Sequence, residues 1–459
     1  MFDGDLLAER ARVTPDKLAL VVLETGERLT YAQLNARAED AAAQLRADGY
    51  RKGDRVPIPG TNSLDFIAKF FGSLKYGTIA VPLSTRATEH EIRQIIDDCS
   101  AGSAREDVAC LLYTSGTTGK PKGVMIPCRQ LYWNGYNTAI NWDLRADDVS
   151  PLFTPIYHAG GIAAFLIPIF CAGGMMVLHK SFDVHEVWRT IEQERCTVVL
   201  GVPTIWKRLM DAPELATADL SHVRWFISGG APLPYFIIEA YQRRGVAFKQ
   251  GYGMTEVGVN CFTMTVEDSI RKPGSIGKPM MFTQVRLVDD DGNDVGANEV
   301  GEMWIRGPHV SLGYWNNPEA TNASYVDGWF RTGDLARKDD EGFFTIAGRK
   351  KEMFISGGVN VYPAEIENEL VQHPRVNDAA VVAVSDDQWG EVGIAFIVGD
   401  VGEEELTSYL TMRIAKYKVP KRFVFVDALP RTPYGKVEKG KLKLLVYPER
   451  SEGSLEAQR

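Results

Sequence analysis

The 459-residue chain contains no pair of cysteines at a CxxC spacing; its six, Cys99, Cys110, Cys128, Cys171, Cys196 and Cys261, are scattered. That pattern offers no metal-ligand spacing and predicts reduced packing residues. No uncharged stretch is long enough to span a bilayer. The longest apolar segment, Ile162–Leu178, is interrupted by Pro168 and Gly173-Gly174 and predicts a buried helix, turn and strand instead. The first residues, Met1-Phe2-Asp3-Gly4-Asp5, carry no charged and apolar leader, so no membrane partner and a cytoplasmic location are expected. Positive charge is in deficit, 51 Lys and Arg against 60 Asp and Glu. The net charge of −9 argues against general nucleic-acid binding. There is no internal repeat.

What is present describes a globular, loop-rich α/β protein: 45% apolar residues, 24% charged and 43 glycines. The length calls for at least two domains. Thr30–Tyr50 reads as an amphipathic helix behind a Thr30 cap, followed by a helix over 65–76, a buried strand over 79–83 and a helix over 90–98. Only a short polar connector, 99–108, then precedes the next strand. Strand and helix patterns alternate again at 197–200 and 205–210, and at 223–227 ahead of Ser228-Gly229-Gly230-Ala231-Pro232, which predicts parallel sheets. Shorter β-like runs from Val285 onward, with a turn at Asp291-Gly292-Asn293, suggest a small β subdomain. After the polar break Gly348-Arg349-Lys350-Lys351 come a helix at 364–371, a strand at 379–384 and a helix at 406–414. The expected architecture is a large N-terminal α/β domain of layered sheets and helices over 1–348, shortened around 99–108, with the small β subdomain, and a mobile, smaller α+β domain over 349–459. The charged tail after Pro448 is expected to be disordered.

Chemistry is first legible at Leu111-Leu112-Tyr113-Thr114-Ser115-Gly116-Thr117-Thr118-Gly119-Lys120-Pro121-Lys122-Gly123, where an apolar strand enters a loop of hydroxyls, glycines and two lysines. Glycines let backbone N–H groups approach an anion, and Lys120 and Lys122 add charge, so the loop suits a polyphosphate. It is not a Walker A loop, since two residues rather than four separate Gly116 from Gly119 and Pro121 follows Lys120. Four further segments stand downstream: Gln250-Gly251-Tyr252-Gly253-Met254-Thr255-Glu256, Trp329-Phe330-Arg331-Thr332-Gly333-Asp334-Leu335, Ser356-Gly357-Gly358-Val359-Asn360-Val361-Tyr362-Pro363-Ala364-Glu365, and Leu429-Pro430-Arg431-Thr432-Pro433-Tyr434-Gly435-Lys436-Val437. Taken singly, each is an ordinary turn or surface loop. Ten Lys and Arg against two acids between Arg413 and Lys443 form a basic run suited either to solvent or to phosphates.

In this order the five segments resemble the adenylate-forming superfamily: acyl-CoA synthetases, luciferases and the adenylation domains of peptide synthetases. The resemblance implies ATP and AMP as nucleotides, Mg²⁺, and CoA as cosubstrate. It assigns Thr114–Lys120 and Lys122 to phosphate, Gly229, Gly230, Ala231 and Pro232 to the nucleotide side, and Gly251, Tyr252, Gly253 and Met254 to adenine, with the tyrosine stacking. Thr255 would touch phosphate, Glu256 would reach Mg²⁺, and one carboxylate can suffice because magnesium takes the remaining oxygens from phosphates. Asp334 would accept from the ribose hydroxyls, Arg349 would stand beside the nucleotide, and Lys351 would be the hinge of the C-terminal domain. Gly357 and Gly358 would line a pantetheine tunnel, and Lys436 would bridge the carboxylate and the α-phosphate during adenylation. Family members usually carry a further strand and helix where this chain has the 99–108 connector.

On the acyl side, Pro155-Ile156-Tyr157-His158-Ala159-Gly160-Gly161 matches the segment whose histidine or aromatic gates the carboxylate pocket, which makes His158 a catalytic candidate. Neither Tyr157 nor His158 supplies the anion that an α-amino acid's ammonium needs. The pocket around Trp225, Phe226, Val257, Gly258 and Asn260 reads as apolar, with no arginine for a second carboxylate, so an apolar carboxylic acid is expected. The implied activity is an AMP-forming acid–thiol ligase making acyl-AMP and then acyl-CoA. Two enzymatic alternatives stay open: the thioester-forming half alone, acting on a supplied acyl-adenylate, and adenylation followed by loading of a separate carrier protein. A homodimer also stays open. A nucleotide-sensing or scaffold protein on the same fold would predict damaged polar positions, yet Thr255, Glu256, Asp334 and Lys436 are all present.

Overall fold

The computed structural model describes residues 4–103, 105, 107–114, 121–231, 233–431 and 437–446. Ser115–Lys120, Pro232, Lys436 and the tail after Pro448 therefore lie outside the described residues. The chain divides into two compact units: Met1–Leu233 with Ile237–Arg286 and Trp304–Thr332, and Pro234–Phe236 with Leu287–Met303 and Gly333–Arg459.

In the first unit, the helix Tyr31–Ala47 starts at Thr30, whose hydroxyl accepts from the Gln33 amide while the Gln33 side chain accepts from the Thr30 amide. This reciprocal cap satisfies two N–H groups that the first helical turn leaves without partners. The next helix, Leu64–Tyr76, is capped by Ser63 and stopped by Gly77 at φ +84°. The two helices come close at Gly72, where an added Cβ would sit 2.8 Å from the Ala41 Cβ. Beside them lies a four-stranded sheet, β1 (Arg55–Pro59), β2 (Ile79–Leu83), β3 (Cys110–Thr114) and β4 (Lys122–Ile126), in that order. The pairs β1–β2 and β2–β3 are parallel and β3–β4 is antiparallel. Pro57 and Pro59 cannot donate to a ladder, which fits the edge position of β1.

The short connector is anchored at the end of the helix Glu89–Ser100. Arg55 donates to the carbonyls of Cys99 (2.7 Å) and Ser100 (3.1 Å), and Trp315 Nε1 and Asn316 Nδ2 donate to the carbonyl of Asp98. These are the terminal carbonyls that a helix cannot satisfy internally. The apolar segment from Ile162 is the expected buried helix, turn and strand, with the helix running through Pro168. Ile162–Leu166 forms a π turn and Ile167–Ala172 an α segment with Pro168 near its start, where a missing N–H is tolerated, before Gly173 at φ +83° turns the chain into the strand Met175–Leu178. Among the described residues no helix is long and apolar enough to cross a membrane. The cysteines are free, and all but Cys128 are fully buried.

A second sheet of the same unit holds β5 (Val198–Gly201), β6 (Trp225–Ser228) and β7 (Phe248–Gln250), all parallel, with β6 central. One face carries Phe226 and Phe248, packed with Trp206 and Tyr241 at ring centroid separations of 4.9–5.5 Å across most of the cluster. The β-like runs from Gln284 form a five-stranded sheet that ends with β8 (Trp329–Lys338) and β9 (Phe344–Arg349), an antiparallel pair.

The second unit's own sheet contains two long strands, Val376–Asp386 and Gly390–Gly399, buried on both faces. Val381 and Ile397 pack with Ile366, Leu370, Leu406 and Leu410, whereas Val382, Ile394 and Phe396 pack with Leu429 and Leu442. Burial on two faces explains why 379–384 is a continuous apolar run rather than an alternating one. The strand itself runs five residues beyond that apolar core, because its polar ends still pair.

Trp206 is fully buried and donates to the Ile227 carbonyl at 3.2 Å. Trp206→Ala is expected to cost about 3–5 kcal/mol, read as a lowered denaturant midpoint with loss of the near-ultraviolet aromatic signal.

Candidate active site

Parallel strands place their carboxyl ends on one side, and loops leaving adjacent strands there make a cleft. Here β6 runs into Gly229-Gly230-Ala231, and β7, its parallel neighbour, runs into Gly251-Tyr252-Gly253-Met254. Ser228 pairs with Gln250, and the Gly251 amide donates to the Ser228 carbonyl at 2.8 Å, so both glycine loops start level. A Cβ on Gly229 would meet nothing within 4 Å, and one on Gly230, at φ +84°, would meet only Val202 at 3.8 Å. The backbone here is open to a ligand. Gly253 is different, since a Cβ there would lie 2.0 Å from the Val259 carbonyl oxygen, so only glycine lets the chain double back. Tyr252 sits edge-on to Phe262 at 5.7 Å, and its carbonyl accepts from the Cys261 amide.

Thr255 and Glu256 follow in a short 3₁₀ turn and are buried. Gln130 Nε2 donates to the Thr255 carbonyl at 2.8 Å, the Ser311 amide donates to the Glu256 carbonyl at 2.8 Å, and the Tyr314 hydroxyl donates to Glu256 Oε1 at 3.0 Å. Burial, reinforced by the neighbouring Glu256 carboxylate, pushes the Tyr314 hydroxyl well above its ordinary pKa and keeps it a donor. Tyr314 also belongs to the hairpin side. It bridges Val124, Trp315 N donates to the Gly123 carbonyl, and the Lys122 ammonium lies 5.3 Å from the Tyr314 ring centroid. Thr114 pairs with Lys122 across antiparallel β3 and β4, so the sequence between them is flanked by two strands rather than by a strand and a helix. That arrangement separates it from a Walker loop, whose phosphate sits at a helix N-terminus.

His158 caps the short helix Ala159–Gly161, its Nδ1 accepting from the Gly160 amide at 3.1 Å. That contact assigns the ring proton to Nε2. The acyl side holds one residue that the sequence reading missed. Lys249, in β7, is only 6% exposed, and its ammonium lies 5.0 Å from the Trp225 ring centroid. Burial holds its pKa down at about 8. The signal was there as a single lysine ending the otherwise apolar run Val246-Ala247-Phe248.

In the second unit, Asp334 on β8 pairs with Arg349 on β9, and Arg349 Nε lies 2.6 Å from Asp334 Oδ1. The carboxylate is almost fully buried while the guanidinium stays partly open. Lys350 is ion-paired to Asp290 and Glu302, whereas Lys351 is exposed. The segment expected to be a loop, 356–361, is instead part of a tight hairpin: Ser356 pairs with Val359 around Gly357 (φ +58°) and Gly358 (φ +81°). Left-handed values at both central positions match the twist of a two-residue hairpin turn and favour Gly-Gly. Three cations of the basic run are answered from elsewhere in the chain: Lys418 by Glu365, Arg431 by Asp378, and Lys439 by Glu352 and Glu367. Half-buried pairing, rather than a bare cationic face, accounts for those three.

Among the described residues no group of three or more His, Cys, Asp or Glu is placed to hold a metal ion. Glu256 alone, buried and steadied by Tyr314, fits an Mg²⁺ that takes its other oxygens from phosphates and water. Gly253→Ala is expected to open the 253–259 turn, lowering the melting temperature and weakening ATP binding by at least about tenfold, equivalent to ~1.4 kcal/mol, as read by calorimetric titration.

The AMP-binding enzyme family model matches residues 7–104 and 100–315, and the AMP-binding enzyme C-terminal domain model matches residues 365–436. A feruloyl-CoA synthase from Amycolatopsis is 38% identical over 483 aligned positions, covering 96% of this chain and 98% of that protein. ATP-bound MatB from Rhodopseudomonas palustris superimposes with a TM-score of 0.90 at 32% identity, covering 98% of this chain and all of that one. The o-succinylbenzoate CoA synthetase of Bacillus subtilis in complex with ATP and magnesium ion superimposes at 0.88, also at 32% identity, over 96% and 99% of the two chains. With both family models matched and relatives above 30% identity aligned along nearly its whole length, this chain belongs to the AMP-binding enzyme family, within the adenylate-forming superfamily that its sequence resembles.

Proposed function

We propose that the chain is an acyl-CoA ligase that converts a carboxylic acid and Mg·ATP to acyl-AMP and pyrophosphate, then passes the acyl group to the CoA thiol and releases AMP. The observation that carries this reading is the meeting, at the carboxyl ends of β6 and β7, of two open glycine loops with a buried Thr255–Glu256 pair tied through Tyr314 to the strand of Lys122. Such a cleft presents backbone donors, one anionic oxygen cluster and one cation to a nucleoside triphosphate.

In this mechanism Gly229 and Gly230 leave room for the nucleotide, Gly251 and Gly253 shape the neighbouring loop, and Tyr252 offers its ring to the base. Thr255 and Lys122 hold phosphate oxygens, and Glu256 would hold a magnesium ion, which would supply charge neutralisation there. Asp334 receives the ribose hydroxyls, with Arg349 orienting its carboxylate. Lys436 supplies positive charge as the carboxylate attacks the α-phosphate. Lys351 then acts as the pivot about which the C-terminal domain turns, and Gly357 and Gly358 line the path of the thiol arm. No enzyme nucleophile is required; positioning and charge stabilisation carry the rate.

A specific observation keeps the half-reaction alternative worth testing. The family model matches in two stretches that meet at 100–104, and the 483 positions aligned with the feruloyl-CoA synthase outnumber this chain's 459 residues. We place residues that relatives carry without counterparts here at the connector, where the two matched stretches overlap.

Purified protein given ATP, Mg²⁺, CoA and a panel of aromatic, fatty and polycyclic acids should release pyrophosphate and form an acyl-CoA, each followed by mass spectrometry. Acyl-CoA only from supplied acyl-AMP would instead establish the thioester half alone, and neither product would overturn the ligase reading. Lys436→Ala is expected to slow adenylation by roughly 10²–10³ while sparing thioester formation from preformed acyl-AMP; equal loss of both steps would remove the role assigned to it.

A further inference from the structure

The helical stretch that follows His158 departs from α geometry over Ile162–Leu166, where it forms a π turn. Such turns are rare and hold one residue more than an α turn. Pro168 supplies the physical reason. In a regular α-helix its ring would strike the carbonyl of Ala164, four residues back, and it has no N–H to give that carbonyl. The π turn takes the hydrogen bonding out of α register, with the Ile167 amide donating to the Ile162 carbonyl rather than to that of Ala163. The Ala163 carbonyl thereby loses its ordinary donor, and the next residue along is the proline, which has no N–H to offer.

Two buried asparagines take up these carbonyls from outside the helix. Asn134 Nδ2 donates to the Ala163 carbonyl at 2.6 Å, and Asn260 Nδ2 donates to the Ala164 carbonyl at 2.8 Å. The two are joined to each other, since Asn134 Oδ1 accepts from the Asn260 amide at 3.2 Å. Thr138 joins them again: its hydroxyl accepts from Asn260 Nδ2 at 3.1 Å and donates to the Asn134 carbonyl at 2.7 Å. Asn134 lies in the helix Cys128–Asn141 and Asn260 follows the Thr255–Glu256 turn, so two separate segments hold the π turn. Asn260, which the sequence placed at an apolar pocket, commits its side-chain N–H groups to the protein.

The same turn faces the nucleotide side. A cavity of about 10 Å³, room for roughly one water, lies between Ala159 and Ala163 on one side and Thr255 and Gly258 on the other, with Gln130 and Asn134 completing its wall. Upstream, the amides of Gly161 and Ile162 both donate to the His158 carbonyl, which makes His158 and the π turn one continuous unit. An α-helix advances about 100° per residue. Losing the extra residue would therefore rotate His158, Ala159 and Ala163 relative to the helix Ile167–Ala172. That helix is fixed against Cys128–Asn141 at Gly135, where an added Cβ would lie 2.7 Å from Cys171 Sγ.

We propose that Asn134 and Asn260 are positioning residues for the acid: by holding Ile162–Leu166 in its π form they fix His158 and the wall 159–163 at their distance from Thr255. The inference rests on the ligase reading, in which that wall belongs to the acyl side. It assigns neither asparagine a contact with substrate or a part in the chemical step.

The test compares the full-length wild type with Asn260→Leu, Pro168→Ala and the double variant Asn260→Leu/Pro168→Ala, using cinnamate and octanoate. Asn260→Leu should lower the melting temperature and reduce kcat/KM for the better of the two acids by about tenfold to a hundredfold, while ATP binding by calorimetric titration stays within about twofold. Pro168→Ala alone, with both asparagines in place, should behave as the wild type. In the double variant the new amide at position 168 can donate to the Ala164 carbonyl in α register, so the melting temperature should recover while kcat/KM for the acid stays low. That split separates positioning from stability. Recovery of both together, unchanged acid kinetics in Asn260→Leu, or an equal fall in ATP binding would overturn the assignment and leave the ligase standing. Should Asn260→Leu fail to fold, the double variant against Pro168→Ala carries the same comparison. Should the wild type use only supplied acyl-AMP, kcat/KM for cinnamoyl-AMP takes the acid's place. Absence of adenylate and thioester from both acids in the wild type, with cinnamoyl-AMP also unused, would overturn the ligase reading and this assignment together.

Discussion

The register in which Ser228 faces Gln250 across parallel β6 and β7 is the constraint on which the rest of the site depends. Slipping it by one residue would exchange the faces of the pair, sending Lys249 into the aromatic cluster and Phe248 toward Trp142. It would also misalign the two glycine loops, whose amides and open backbone serve a single ligand only when they start level. The packing of Trp206 between Phe226, Tyr241 and Phe248 locks this register from behind. Core and site are thus two faces of one sheet.

Tyr314 is the second tie. Its hydroxyl steadies Glu256 and its ring receives Lys122, so one side chain connects the carboxylate and the cation that a triphosphate needs on opposite sides. The next two residues, Trp315 and Asn316, secure the end of the helix Glu89–Ser100 at the 99–108 connector from a distant segment of the chain. The same stretch that satisfies those carbonyls also reaches the heart of the nucleotide cleft.

Much of the architecture was legible in the residues. The Thr30 cap, the helix at 65–76 and the strand Ile79–Leu83 announced themselves through a capping residue and apolar patterns, because those signals are local. The glycine motifs at 229–230 and 251–253 and the aspartate at 334 stood out by their order along the chain. What was misread had non-local causes. The hairpin at 354–361 was taken for a loop because its strands are short and its pairing is visible only once Gly357 and Gly358 adopt left-handed values. The basic run near the carboxyl end looked unanswered because Glu352, Glu365, Glu367 and Asp378, which neutralise Lys439, Lys418 and Arg431, lie more than fifty residues away.

The sequence by itself determined the fold class, the family and the inventory of groups that can meet a nucleotide, since periodicity, caps and motif order depend on neighbouring residues. Tertiary structure alone decided which of those groups share a surface. Tyr314 reaching Glu256 spans 58 positions of chain, and Lys249 reaching Trp225 requires two strands to pair in one register. Charges and hydrogen bonds act over a few ångströms, and it is the folding of distant segments into that range that set a lone lysine of an apolar run against the Trp225 ring.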